Sequence, residues 1–213
     1  MEKDISPPRL RRASPRGVEF DFISGHPVLD FHNTASWPRG RKSNERMRHP
    51  LDLLRWAAGA AVITEREAKS LGSFARRNYS RASATLDDAY RLREVIHHLL
   101  TSVANEKTPA ASMIDALNRR RVKAIRAFEM KWHDDRLEWA PRADPPMTAI
   151  LDRLVWGAEG LLISDDIKRV RLCRNQRCGW LFIDRTKNGT RRWCSMEECG
   201  GRAKSKRYYE RHA

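Results

Sequence analysis

The stretch Cys173–Cys199, CRNQRCGWLFIDRTKNGTRRWCSMEEC, holds all four cysteines of a 213-residue chain. Their spacing is C-x4-C-x15-C-x4-C. Zinc takes four ligands at the corners of a tetrahedron, and thiolates suit it. A closely spaced pair grips one edge of that tetrahedron, so the longer spacer has to bring two edges together. This spacer can do so. WLFID (180–184) has strand character, RTKNGT (185–190) contains the turn dipeptide Asn188–Gly189, and RRWC (191–194) is expected to return as the second strand of a hairpin. Gly179 can take a backbone form that aims amides at sulfur. From Met196 onward the composition favours a helix despite Gly200 and Gly201. The partial positive charge at the start of that helix would help keep thiolates deprotonated.

Other uses of four cysteines fit less well. A thioredoxin-like pair needs C-x-x-C, which is absent, and a nucleophilic thiol needs a histidine, of which the segment has only His212. An iron–sulfur cluster also accepts four cysteines, but two matched pairs around a hairpin favour one structural zinc ion. The ligands are then Cys173, Cys178, Cys194 and Cys199. The first seventeen residues carry charge and no apolar run, so an export signal is not expected, a cytoplasmic location is, and disulfides are disfavoured. The segment's expected core is Leu172, Trp180, Phe182, Ile183, Trp193, Met196 and Tyr208. So few side chains need a staple.

Charge gathers in the same place. The chain carries a formal net charge of +15, and residues 168–213 alone hold 14 Lys and Arg against 4 Asp and Glu, a net +10. A basic surface of this kind seeks a polyanion. Arg185, Lys187, Asn188, Arg191 and Arg192 are expected on or beside the hairpin tip. Arg202, Lys204, Lys206, Arg207 and Arg211 are expected on the final helix. DNA is the favoured partner. RNA, a protein, or a basic face that only offsets the thiolates are the alternatives.

The chain reads as α+β overall: a helix-rich α/β unit over 17–165, preceded by a basic tail expected to be disordered, 1–16, and followed by the zinc segment, 166–213. GVEFDF (17–22) alternates as a strand. Apolar residues recur at helical intervals from Leu51. TERE (64–67) is a capping box opening a helix that runs to about Tyr79. A longer helix over about 85–105 carries the stripe Leu86, Ala89, Leu92, Val95, Ile96, Leu99, Leu100 and Val103. Thr108 and Pro109 mark another helix start. AFEMKWHDDRLEWA (127–140) alternates on both sides of Asp134–Asp135 and predicts a β-hairpin. A last helix is capped by Asp144 and buries Ile150 to Leu162. The tryptophans at 56, 132, 139 and 156 are expected in the core. In LDFHNT (29–34), Asp30, His32 and Asn33 sit among apolar residues. They are candidates for ligand contacts or for pinning a turn, with Arg93 expected as a partner of Asp30.

The run C-x4-C-GWLFID, RRWCSM, CGGR and RYYER resembles the CGNR zinc finger. LDFHNT, DLLRWAAGA and YRLREVIHHLL are similar to the ABATE domain that precedes this finger in a family of bacterial transcription regulators. The resemblance implies an α/β domain that senses a small molecule, followed by a treble-clef-like zinc ribbon that binds DNA. It also implies the same four cysteines as zinc ligands. The chain departs from the pattern at Gly201, where the finger's name-giving asparagine would stand. No phosphate-binding loop, G-x-S-x-G or H-E-x-x-H occurs, so no enzyme is expected. No apolar run is long enough to span a bilayer. A homodimer is compatible with the expected regulator.

Overall fold

The structure is a computed structural model that describes residues 10–13, 19–142 and 146–212. Residues 10–13, which fall in the tail expected to be disordered, form strand β1 (Leu10–Ala13) and pair antiparallel with β2 (Glu19–Phe22). The rest of that tail, and the Asp144 cap, lie outside the described residues. A tight turn leads into α1 (Pro27–His32). Proline occupies its first turn, where a missing N–H costs nothing, and His26 Nδ1 accepts the Val28 amide at 3.2 Å.

Three helices follow: α2 (Pro50–Gly59), α3 (Glu65–Arg77) and the long α4 (Tyr79–Ala104). The capping box at α3 is as read. Thr64 Oγ1 accepts the Glu67 amide at 3.2 Å, and Glu67 accepts the Thr64 amide at 2.7 Å. Helix α4 starts six residues earlier than expected, directly after α3, and buries most of its predicted stripe, though Val95 and Val103 are only half-buried. Helix α5 (Ala111–Ala127) begins after Ala110 rather than at Pro109, so Thr108 does not cap it.

The predicted hairpin is present as β3 (Phe128–His133) and β4 (Arg136–Pro141), turning where Asp134 takes φ 55°. Its tryptophans correct the expectation. Trp132 is 69% exposed and Trp139 56%, because Met130, Trp132, Leu137 and Trp139 share a hairpin face of which only the Phe128 end is buried. Helix α6 (Thr148–Ile163) then returns through the core, burying Ile150, Leu151, Leu154, Val155, Ala158 and Leu161.

After α6 come β5 (Val170–Leu172), β6 (Leu181–Ile183) and the final helix α7 (Gly201–His212). Here the expected pairing is wrong. β6 does not pair with RRWC. It pairs antiparallel with β5, in the register Val170↔Ile183, Arg171↔Phe182, Leu172↔Leu181. The first cysteine pair therefore lies in the turn of a β5–β6 hairpin.

One core serves both ends of the chain. Phe31, Trp56, Leu92, Ile96, Ile150 and Leu154 pack in the same apolar cluster as Val170, Leu181 and Ile183. A second, smaller cluster joins Ile23, Trp180 and Phe182 to the cysteines, with Trp193 against it. Leu172 and Ile183, expected in the zinc segment's own core, join the large cluster, whereas Met196 and Tyr208 are exposed.

Candidate metal centre and nucleic-acid interface

The β5–β6 turn presents Cys173 and Cys178. Gly179 follows with φ +68°, a conformation that favours glycine, and a Cβ there would fall 2.2 Å from the Trp37 carbonyl oxygen. Trp37 N–H in turn donates to the Cys178 carbonyl at 2.9 Å. The second pair comes from the other side. Cys194 precedes Ser195, whose hydroxyl accepts the Glu198 amide and caps a wide helical turn, Met196–Gly200, which carries Cys199 and runs into α7. The expected placement of this pair at a helix start is what the structure has.

The four sulfurs lie within 4.8 Å of one another, and all four cysteines are free of disulfides. Cys178 and Cys194 Sγ are 3.6 Å apart, Cys194 and Cys199 Sγ 3.7 Å. Zn–S bonds of about 2.3 Å in a regular tetrahedron put neighbouring sulfurs about 3.8 Å apart. The chemistry agrees with the geometry. Hydrogen bonding with Cys178 holds the Cys173 thiol down, and hydrogen bonding with Cys173 holds Cys199 down but pushes Cys178 and Cys194 up. Four thiolates so close need a divalent cation to ionise together. Asn175 Nδ2 adds an outer-shell donor to Cys199 Sγ at 3.4 Å.

Residues 169–212 match the family described as the CGNR zinc finger, and residues 25–165 match the one described as "ABATE: Putative stress-induced transcription regulator". The chain belongs to the ABATE family. No curated protein matches it closely enough to add a relative. Its CGNR zinc finger holds a single zinc ion on Cys173, Cys178, Cys194 and Cys199. At the family's asparagine position, Gly201 has ordinary helical φ/ψ, and a Cβ there would meet only the Met196 carbonyl, at 3.7 Å. Nothing in the backbone requires glycine.

The expected nucleic-acid residues of this ABATE protein do not all share one place. Arg192, Arg202, Lys206 and Arg207 line one cleft of about 1240 Å³ beside the zinc site. Arg174 and Arg177, between the first two cysteines, line it too, as does Arg39 from the turn after α1. Glu210 is the one carboxylate among the lining residues, and it lies 3.6 Å from Lys206. Arg174 and Arg177 are legible in CRNQRC, whereas no sequence signal points to Arg39. Lys187 and Asn188 are exposed on the 185–190 loop, away from that cleft, and Lys204 is exposed on α7 outside its lining. Arg185 pairs with Asp166 at 3.0 Å.

Arg191 sits differently. Its guanidinium donates to the carbonyls of Trp193 and Cys194 at 3.0 and 2.7 Å, and more loosely to those of Ile23 and Ile183, and it stacks over Phe182 at 4.3 Å. It ties the loop before Cys194 to the rest of the chain.

Asp30, His32, Asn33 and Arg93 are all buried. Asp30 accepts the Ile23 and Ser24 amides at 3.2 and 3.1 Å, and burial pushes its pKa up to about 7. Arg93 does not pair with Asp30. It binds the Glu45 carboxylate and the Thr34 hydroxyl, while its Nε stays buried without a partner. Asn33 exchanges two hydrogen bonds with the backbone of Leu181. His32 Nδ1 meets Asn33 Oδ1 and its Nε2 meets His97 Nδ1, each at 2.9 Å, and burial lowers its pKa to about 3. Apart from the Arg93 Nε, the polar groups named here bond neighbouring side chains or the backbone.

Proposed function

We propose that this ABATE protein is a DNA-binding transcription regulator whose finger grips the phosphate backbone and whose helix-rich part takes a small-molecule effector. The observation that carries the reading is the cleft beside the zinc site, where seven cationic side chains face one carboxylate. Lysine and arginine at phosphates release condensed counterions, so a cleft of this composition binds a polyanion with salt-sensitive affinity. Helix α7 forms one wall, and Arg202, Lys206 and Arg207 reach from it. The zinc ion is structural in this reading, since four protein ligands leave it no open position for chemistry. No helix among the described residues is long and apolar enough to cross a membrane.

The experiment is a selection from random-sequence duplex DNA by the zinc-loaded chain, with Cys194→Ser as the control. Enrichment by the wild type and not by the control is expected. Enrichment of single-stranded RNA and not duplex DNA in a parallel selection would replace DNA by RNA as the partner.

A further inference from the structure

A second cavity, about 830 Å³, lies where the end of α4 and the Trp37–Gly40 turn meet the first zinc pair. Trp37, Arg39, His97 and Arg174 are among the residues that line it. Its volume falls in the range of sites for small organic ligands.

The protonation of its wall follows from a chain of hydrogen bonds. Asn33 Nδ2 donates to the Leu181 carbonyl and Leu181 N–H donates to Asn33 Oδ1, which fixes the amide's orientation. His32 Nδ1 faces that same Oδ1, an acceptor, so it carries the ring's proton. A neutral His32 then has a lone pair at Nε2, and His97 Nδ1 must donate to it. Burial keeps His97 neutral as well. Its remaining nitrogen, Nε2, is therefore a bare acceptor. His97 lines the cavity and is only 6% exposed, and its one side-chain hydrogen bond among the described residues is made by Nδ1. The Trp37 ring stacks on His97 with centroids 3.9 Å apart and planes 11° apart, which holds the His97 ring in place and makes this part of the wall aromatic. Arg39 and Arg174 supply positive charge at the exposed side.

We infer that this cavity is the effector site and that its ligand class is a small aromatic acid carrying a hydroxyl or N–H donor. The donor reaches His97 Nε2, the ring lies against Trp37 and His97, and the carboxylate meets Arg39 and Arg174. Those two arginines also line the basic cleft. An acid bound here neutralises two of the cleft's seven cations, so effector and polyanion oppose each other. That last step rests on the nucleic-acid reading above, whereas ligand binding itself does not.

The test uses the full zinc-loaded chain and two probes, 4-hydroxybenzoate and indole-3-carboxylate, with benzoate as the donor-free control. Calorimetry measures affinity, and histidine-selective nitrogen NMR follows His97. At least one probe should bind at millimolar concentration or below and shift the His97 Nε2 signal, with benzoate about tenfold weaker, as expected for one lost hydrogen bond. His97→Phe should bring that probe and benzoate to the same affinity. Arg174→Gln, a surface change that leaves the histidine chain intact, should weaken both. Absence of binding by both probes, or equal binding by wild type, His97→Phe and Arg174→Gln, overturns the site. A separate arm titrates the bound probe into a complex with fluorescent duplex DNA. Release of DNA from the wild type at about a tenth of the probe concentration that His97→Phe requires supports the opposition, and probe binding with no DNA release overturns it. If the chain holds no DNA before probe is added, the nucleic-acid reading falls and the cavity assignment stands on the calorimetry.

Discussion

Asn33 and Leu181 are 148 residues apart and exchange two hydrogen bonds, Asn33 Nδ2 to the Leu181 carbonyl at 2.8 Å and Leu181 N–H to Asn33 Oδ1 at 3.0 Å. The side-chain amide imitates a neighbouring strand along β6. It joins the end of α1 to the strand that follows the first two zinc ligands, inside the common core. Asn33→Ala leaves the buried N–H and C=O of Leu181 without partners. Each unsatisfied group costs about 1–3 kcal/mol, so urea unfolding of the zinc-loaded variant should show a loss of roughly 2–6 kcal/mol.

Two neutral buried histidines give the protein a defined acid sensitivity. Burial holds His32 at about 3 and His97 at about 4, below the ordinary 6.5. Above pH 6.5 both are neutral folded or unfolded and contribute no pH dependence. Below it the unfolded chain binds protons that the folded chain refuses, so stability falls as pH drops from 6.5 toward 4. Asp30, raised to about 7 by burial, acts with the opposite sign. Its folded form takes up a proton first, which favours the fold as pH falls from 7 toward 3.8. Two protons against one leave a net loss of about 1.4 kcal/mol per pH unit from these groups. Thermal melts of wild type and His97→Gln between pH 7 and 4.5 should show the variant with the shallower slope. Parallel slopes would remove His97 from the account.

Gly179 and Gly201 should respond oppositely to side chains. Gly179→Ala puts a Cβ against the Trp37 carbonyl at a residue with φ +68°. The left-handed backbone alone costs a non-glycine residue about 1–2 kcal/mol, and the clash adds to it. Gly201→Asn, which restores the family's residue, meets only ordinary contact in helical backbone. Its stability should stay within about 0.5 kcal/mol of the wild type or rise. Chemical denaturation of both variants checks the contrast.

Much of this is legible in the amino-acid sequence. The cysteine spacing gave the ligand set, because a tetrahedral ion dictates two gripping pairs. Apolar periodicity places α2, α6 and most of α4, and TERE locates the start of α3. What could not be read was which strand β6 joins. RRWC looked like a partner because it follows an Asn-Gly turn, whereas the true partner, Val170–Leu172, is three residues long and too short to show alternation. Alternation in the 128–141 hairpin told which residues share a face, and was silent on whether the far end of that face is covered. Trp132 and Trp139 show that it is not. Arg191 looked like a phosphate contact among its basic neighbours, and only its carbonyl partners reveal a binding strap. Arg39 joins the cleft through the fold alone.

Zinc removal should unfold the finger rather than loosen it. A structural zinc contributes roughly 10–16 kcal/mol in finger peptides, and the cysteines make up much of the small cluster around Trp180 and Phe182. Chelation should release one zinc per chain, reduce helical circular dichroism as α7 melts, and shift the emission of Trp180 and Trp193. Cys194→Ser should reproduce all three without chelator. Because β5 and β6 share the main core, the loss should also lower the melting temperature of the remaining helices.

The most direct test of the account compares two double variants of the zinc-loaded chain for duplex DNA binding across a salt series. Arg174→Gln with Arg177→Gln removes two cations from the cleft, and Lys187→Gln with Asn188→Ala alters the exposed loop. Each lost phosphate contact lowers the log–log salt slope by about 0.9, so the cleft variant should lose about 1.8 from the slope along with affinity, and the loop variant should keep the wild-type slope. A wild type that binds without salt dependence, or a slope that falls for the loop variant and not for the cleft variant, would contradict it.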